Sequence, residues 1–232
     1  MIRKSFLREA GVEQVVCYEL ELPALGLKDI GFSICPDSGL VMQSPSPTIN
    51  EINFYYSEIA TYINPGREGK PSTKKIESLT RLIHLCKDEI GFIPESVFQV
   101  GCSDGYTLSR FKEAGANYVA GIDPSTASHV LAKNLYDIST NIGEIETYDD
   151  KSKKYKLIIL THVLEHLFNP VDVLKKCSEI QNNGDWVLIE VPLFERMDCF
   201  PPGLLTLEHL NYFSEGTAVE TITKSGYEPT FI

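Results

Sequence analysis

The sequence contains no apolar run approaching the ~18 residues that a bilayer-crossing helix needs, so no helical membrane span is expected. The amino terminus carries Arg3, Lys4, Arg8 and Glu9 and lacks the roughly 7–15-residue apolar core of a secretion signal. The six cysteines, at 17, 35, 86, 102, 177 and 199, form no C-x-x-C pair. Without an export signal, reduced thiols in the cytoplasm are the expectation. Basic residues are also short, 21 Lys and Arg against 32 Asp and Glu, giving a net charge of −11. Such a chain repels phosphate backbones, so nucleic acid is not an expected partner. The one basic cluster, Lys151, Lys153, Lys154 and Lys156, follows Asp149 and Asp150 and reads as the solvated start of a strand. Repeats and low-complexity tracts are absent.

The 232 residues suit one α/β domain and a small amino-terminal extension. Residues 1–48 read as irregular, short apolar stretches broken by proline and glycine, with a boundary at Pro45-Ser46-Pro47. Residues 49–232 read as the main domain, its first part (49–95) supplying amino-terminal helices. Ser72 is a plausible N-cap for a helix whose apolar face carries Ile76, Leu79, Leu82, Ile83, Cys86 and Ile90. From Ser96 strands and helices alternate. Strands are expected at 97–100, 118–122, 156–160, 186–191 and 227–232, and helices at 106–114, 125–133, 171–180 and 217–225. Strands without polar alternation, separated by helices, indicate a mostly parallel sheet covered on both faces, a Rossmann-like α/β fold.

Gly101-Cys102-Ser103-Asp104-Gly105 follows the first of these strands and opens a helix. Glycines at such a turn let the backbone approach a ligand, and the helix start offers free N–H groups. A dinucleotide site would place glycine at 101, 103 and 106, where the chain has Gly, Ser and Tyr. A G-x-G-x-G loop of the S-adenosylmethionine (SAM) type matches at 101 and 105, with Ser103 as a small substitute. No Gly-Lys-Ser/Thr follows, which excludes a P-loop. A tight turn with no ligand is the plain alternative. Asp123, in Gly121-Ile122-Asp123-Pro124-Ser125, ends the next strand, where a carboxylate can accept from both hydroxyls of a ribose. Its plain alternative is a helix cap.

The third element, Leu160-Thr161-His162-Val163-Leu164-Glu165-His166-Leu167, lies at a strand's carboxyl end, where open α/β sheets bind ligands. It also spells H-x-x-E-H, a zinc-protease signature. That chemistry needs both histidines on a helix and a further ligand. A motif starting at a buried strand's end fits poorly, so His162 is read as lining the pocket, His166 as packing or capping locally, and no metal ligands are assigned.

Phe98 to Gly105, Gly121 to Ser125 and His162 to His166 together resemble motifs of the class I SAM-dependent methyltransferases. The resemblance covers about residues 72–232 and implies SAM as cofactor. Carried onto this sequence it implies cofactor contacts from Gln99, Gly101, Cys102, Ser103, Gly105, Asp123, Pro124, Asn141, Thr161 and His162. Gln99 departs from the pattern, since the family usually has an acid there facing the cofactor's ammonium. Glu190-Val191-Pro192 and Leu207-Glu208-His209-Leu210-Asn211-Tyr212-Phe213-Ser214 are similar to the sugar C-methyltransferases, which act on nucleotide-linked keto-sugars. Those enzymes carry an amino-terminal zinc module and a tyrosine-rich stretch. Cys35-Pro36-Asp37-Ser38-Gly39-Leu40-Val41 resembles part of that module with Ser38 in place of a cysteine, and only Cys17 lies near. Two of the four ligands a closed zinc site needs are present, so no zinc is expected there. Tyr56 and Tyr62 fall where the family's tyrosines approach the cofactor, and Thr206 stands in place of the family's tyrosine before the E-H segment.

The resemblance implies methyl transfer to a small polar acceptor, with His209 as the base of a C-methylation and Glu208 orienting it. A histidine titrating near neutrality suits that work. The alternative role for His209 is a turn cap. The loop at 193–207 is expected to wall the acceptor. The sequence ends before a seventh strand, which reads as truncation or as a sheet completed by a second copy. Two rival functions stand beside this one: a SAM-fold binding or assembly subunit without catalysis, and an O- or N-methyltransferase. A nicotinamide dehydrogenase is a weaker third, opposed by Tyr106.

Overall fold

A computed structural model of the chain describes residues 5–7, 16–22, 27–54, 71–195 and 208–230. Strands β1 (Val16–Leu22), β2 (Leu27–Ile34) and β3 (Val41–Gln43) come first, then helix α1 (Ile49–Phe54). There follow α2 (Thr73–Leu85), β4 (Ser96–Val100), α3 (Tyr106–Ala114), β5 (Tyr118–Asp123), α4 (Thr126–Tyr136) and β6 (Asn141–Ile142). The chain continues with β7 (Leu157–Thr161), α5 (Pro170–Ser178), β8 (Trp186–Glu190), β9 (Asn211–Tyr212) and α6 (Glu215–Lys224). No described helix is long and apolar enough to cross a membrane.

Two compact units are formed, one from residues 60–161 and 176–189, the other from 1–59, 162–175 and 190–232.

The first unit is built on a five-stranded sheet in the order β6-β5-β4-β7-β8. The pairings β4–β5, β4–β7 and β5–β6 are parallel. With helices connecting the strands, this is the expected Rossmann-like α/β arrangement. Consecutive burial of Leu157, Ile158, Ile159 and Leu160 explains why β7 shows no alternation: both faces of the sheet are covered. One core cluster joins Leu79, Ile83, Val97, Leu108, Phe111, Leu157, Ile159 and Leu188. Each such burial contributes about 1.5–3 kcal/mol. Helix α2 starts where Ser72 Oγ accepts from Lys75 N and buries Leu79 and Ile83. Ile76 stays 41% exposed, so the buried stripe is narrower than the apolar spacing implies. The helix runs on as a π segment, Cys86–Ile90, closed by Gly91 at φ 87°.

The second unit holds an antiparallel sheet in the order β1-β2-β3-β9. This corrects the reading of residues 1–48 as irregular. Cys35 N donates to Leu40 O (2.9 Å) and Gly39 N to Cys35 O (2.8 Å), closing the β2–β3 hairpin with Gly39 at φ 74°. Strand β9 pairs Val41 with Tyr212 and Met42 with Asn211. Helix α6 opens with a capping box between Ser214 and Thr217. The strand expected at 227–232 is not formed by its described residues, 227–230. Instead Tyr227 N turns back to Ile222 O (3.3 Å), finishing α6, so its N–H goes to the helix end instead of a neighbouring strand.

Candidate active site

The turn after β4 takes its shape from three left-handed residues at alternate positions, Gly101 (φ 66°), Ser103 (φ 47°) and Gly105 (φ 76°). Glycine is at home there, whereas serine carries strain of about 1–2 kcal/mol. Gly101 N and Cys102 N both donate to Ile122 O, at 2.9 and 3.2 Å, tying the turn to the end of β5. The next residue is Asp123. Its Oδ2 accepts from Ser103 N (2.8 Å) and its Oδ1 from Ser125 N (2.9 Å). The glycine turn and the acid, 20 residues apart in sequence, are thus directly bonded.

Burial pushes the Asp123 carboxyl above the usual carboxylate range, while the Ser125 and Ser103 N–H groups act in the opposite sense and Asp104 adds to the rise. A carboxylate offers about four acceptor positions. The two N–H bonds leave capacity for ligand hydroxyls. Ser103 is exposed and Gly101 and Asp123 half-buried, so this edge of the sheet is accessible.

Neighbouring positions have distinct duties. Gly105 lies against α4, where an added Cβ would meet Ala132 Cβ at 2.9 Å. Gly121 lies against Cys102, with the same distance only 2.7 Å. The buried Cys102 thiol is pushed up to about 12, first by burial and then by the Asp123 charge, so Cys102 offers a ligand its backbone only. Asn141 Nδ2 donates to Gly121 O (3.0 Å), supporting the end of β5. Asp104 Oδ1 accepts from Lys75 Nζ (3.1 Å) and Tyr106 N (3.2 Å). Pro124 is exposed and Thr161 half-buried at the end of β7. Gln99, on β4, is 3% exposed, and its Oε1 has no hydrogen-bond partner.

A separate cavity of about 360 Å³ lies between Phe92, Pro94, Lys156 and Trp186. It sits at the amino-terminal ends of β4, β7 and β8, the end opposite to that used by ligands in such sheets.

His162, Glu208 and His209 belong to the second unit. His162 adopts φ 55°, donates its N–H to Glu190 O (2.9 Å) and keeps a 60% exposed side chain. Its Nδ1 lies 3.3 Å from Glu165 Oε1. Leu164–His166 forms one 3₁₀ turn. The two histidines therefore do not share the helical face that the zinc-protease reading of H-x-x-E-H needs. His166 Nδ1 donates to Glu208 O (3.1 Å), a bond across 42 residues of sequence where a local contact was expected. The His166 and His209 rings meet edge to face at 4.8 Å.

Asn211 is the residue whose part the sequence reading missed. Buried to 1% exposure, it donates Nδ2 to Leu164 O (3.1 Å) and Leu167 O (2.7 Å). With Leu210 N on Glu165 O (2.7 Å), it clamps the Glu208-His209 segment onto the His162–His166 turn. Both halves stood in quoted motifs, but only the fold pairs them. Tyr56, Tyr62, Thr206 and the loop at 196–207 lie outside the described residues.

A family model described as a methyltransferase domain matches residues 73–230. A tRNA U34 carboxymethyltransferase of Nautilia profundicola is 23% identical over 193 residues, covering 79% of this chain and 62% of that one. A ubiquinone biosynthesis O-methyltransferase of Shewanella pealeana is 26% identical over 144 residues, 59% of either chain. The chain thus spans about six-tenths of the length of these curated relatives. Among solved structures, the N-methyltransferase NodS of Bradyrhizobium japonicum superposes with a TM-score of 0.51 at 15% identity, covering 64% of this chain and 80% of that one. A Nostoc punctiforme protein described as an O-methyltransferase candidate gives a TM-score of 0.56 at 17% identity, covering 67% and 53%. These two likenesses concern the fold.

Proposed function

Since the chain belongs to the methyltransferase-domain family, we propose that it is an enzyme transferring a methyl group from SAM to a small polar metabolite, with a nucleotide-linked keto-sugar as the first candidate. The observation that carries the SAM assignment is the 2.8 Å bond between Ser103 N and Asp123 Oδ2, which joins glycine turn and strand-end acid into one cradle. The residues fit the cofactor. Asp123 would accept from the ribose hydroxyls, the turn at 101–105 would lie along the ligand, and the unpartnered Gln99 Oε1 would accept from an ammonium. Bound SAM supplies an electrophilic methyl group on a charged sulfonium. The protein's share is then positioning and exclusion of water, with no covalent intermediate.

His209 is the proposed base, with Glu208 beside it in sequence. Its Nδ1 is sealed from solvent, so Nε2 is the atom that would take the acceptor's proton. The E-H-L-N-Y-F-S segment supports the sugar reading, and the paired lysines support a small acceptor over RNA. Lys151 meets Glu179 (2.8 Å), Lys156 meets Asp185 (3.3 Å), Lys153 donates to Tyr118 Oη (2.7 Å) and Lys154 to Glu179 O (2.6 Å). The basic cluster is spent on its own unit instead of presenting free charge to phosphates.

Titration calorimetry with SAM tests the cofactor assignment: micromolar binding supports it, and no heat at millimolar SAM defeats it. Methyl transfer to nucleotide-linked keto-sugars, with tRNA in parallel, tests the acceptor. Turnover on tRNA alone would replace the sugar reading. Binding without turnover on any acceptor would favour a non-catalytic subunit.

A further inference from the structure

Glu165 is a carboxylate with 1% exposure, and its Oε2 has no hydrogen-bond partner. A buried charge requires compensation. Among the described residues the ring nitrogens near it are those of histidines: His162 Nδ1 at 3.3 Å and His166 Nε2 at 3.9 Å, both from Oε1. His166 is held in one tautomer. Its Nδ1 faces the Glu208 carbonyl, which only accepts, so Nδ1 carries the proton and Nε2 presents a lone pair towards Glu165. A backbone carbonyl fixing the far nitrogen in this way is the usual support of a metal-binding histidine. His209 completes the group: one ligand atom each from Glu165, His166 and His209 lie within 4.8 Å of one another. A tetrahedral ion with bonds of about 2.1 Å spaces its ligands about 3.4 Å apart, so modest side-chain closure suffices.

We propose that Glu165, His166 and His209 form a binding site for one divalent transition cation of the zinc or iron(II) class. Two imidazoles and one carboxylate with further positions open is a donor set suited to such ions. This departs from the sequence reading, which assigned no metal. The H-x-x-E-H motif is used, but with His209 supplying the second imidazole and His162 steadying the carboxylate. The site's role rests on the methyl-transfer reading; its existence does not. When loaded, His209 has given its lone pair to the ion and is not a base. The cation would then supply the activation, polarising an acceptor oxygen such as the keto-sugar carbonyl so that the acceptor's proton is lost to water, while the methyl group passes from the sulfonium to the acceptor and the neutral thioether leaves.

The test is equilibrium dialysis of the chelator-stripped full chain against Zn²⁺, with the visible spectrum of the Co²⁺-loaded protein. The expected result is one ion per chain, with affinity lowered at least about tenfold in His209→Asn and in Glu165→Gln but kept in Cys35→Ser. SAM calorimetry on each variant reports whether the cofactor unit is intact, and His209→Asn, at a half-buried position, carries the test if Glu165→Gln does not fold. Equal binding by wild type and His209→Asn overturns the site, as does loss of the ion in Cys35→Ser with thiolate bands in the Co²⁺ spectrum. Ion binding without SAM binding would sink the methyl-donor reading alone, and SAM binding without ion uptake would sink the site alone.

Discussion

The backbone N–H of Ser103 donates to Asp123 Oδ2 across 2.8 Å, and Ser125 N holds the other oxygen at 2.9 Å. The acid therefore organises the turn before any ligand arrives. Asp123→Asn keeps the shape but removes the charge from both bonds and from any ribose contact. Charge-assisted hydrogen bonds are roughly twice as strong as neutral ones. SAM affinity should fall at least about tenfold, as each lost 1.4 kcal/mol is a factor of about ten; calorimetry checks this.

The titration of Asp123 gives a pH test. Its folded-state carboxyl lies above the ordinary value of 3.8, chiefly through burial. The folded chain then binds more protons than the unfolded chain between those two values, so this group's contribution to stability declines as pH rises through that window. Cofactor binding runs the other way, since the ribose needs the carboxylate. On acidification SAM affinity should fall with a midpoint above that of an ordinary aspartate. In Asp123→Asn that limb should vanish, and an unchanged acid limb would remove Asp123 from the cofactor site.

Ser103 holds a left-handed conformation that glycine adopts without penalty. Its backbone N–H, not its side chain, makes the bond to Asp123. Ser103→Gly should therefore keep the turn and relieve about 1 kcal/mol of strain, partly offset by the greater freedom of unfolded glycine. Thermal unfolding should shift upward by up to about 2–4 °C, with SAM binding retained. A drop in midpoint would mean that the serine hydroxyl has work in the site.

The cofactor half was readable because its signals are local: a glycine turn, an acid ending a strand and a capping serine are each recognisable from a few neighbouring residues, although the bond from Ser103 N to Asp123 spans 20 residues. Helix α3 runs over the residues expected of it, and Ser125 caps α4 through Ser128 N. The second unit was not readable, for the opposite reason. Strand β3 gains its partner from Asn211 and Tyr212, far along the chain, and no periodicity in residues 1–48 announces that pairing. The grouping of Glu165 and His166 with His209 has the same origin. Both sequence segments stood out as motifs, yet long-range hydrogen bonds such as Asn211 to Leu164 O are what relate them.

That bond can be removed. Asn211→Ala leaves the carbonyls of Leu164 and Leu167 without their side-chain donor and opens a small void. A buried group stripped of its partner costs about 1–3 kcal/mol. The midpoint of unfolding should fall by several degrees. Because the glycine turn and Asp123 lie in the other unit, SAM affinity should stay within about threefold of wild type while methyl transfer falls much further. Equal losses in both would show that the clamp supports the cofactor unit as well.

Gln99 offers the reverse experiment, a gain. Its Oε1 is buried without a partner, at the position where the resemblance to class I methyltransferases implies an acid. An amide oxygen can accept from an ammonium group, but a carboxylate does so with full charge. Gln99→Glu should tighten SAM binding by about tenfold while lowering the stability of the ligand-free protein, since an unpaired buried carboxylate is costly. The two effects separate by concentration: the variant should unfold below wild type without ligand and approach or pass it at saturating SAM, because a ligand stabilises by RT ln(1 + [L]/Kd). Parallel melting curves with and without SAM would decide it. A Gln99→Glu protein destabilised equally at every SAM concentration would place this side chain in the core of the sheet and away from the methyl donor.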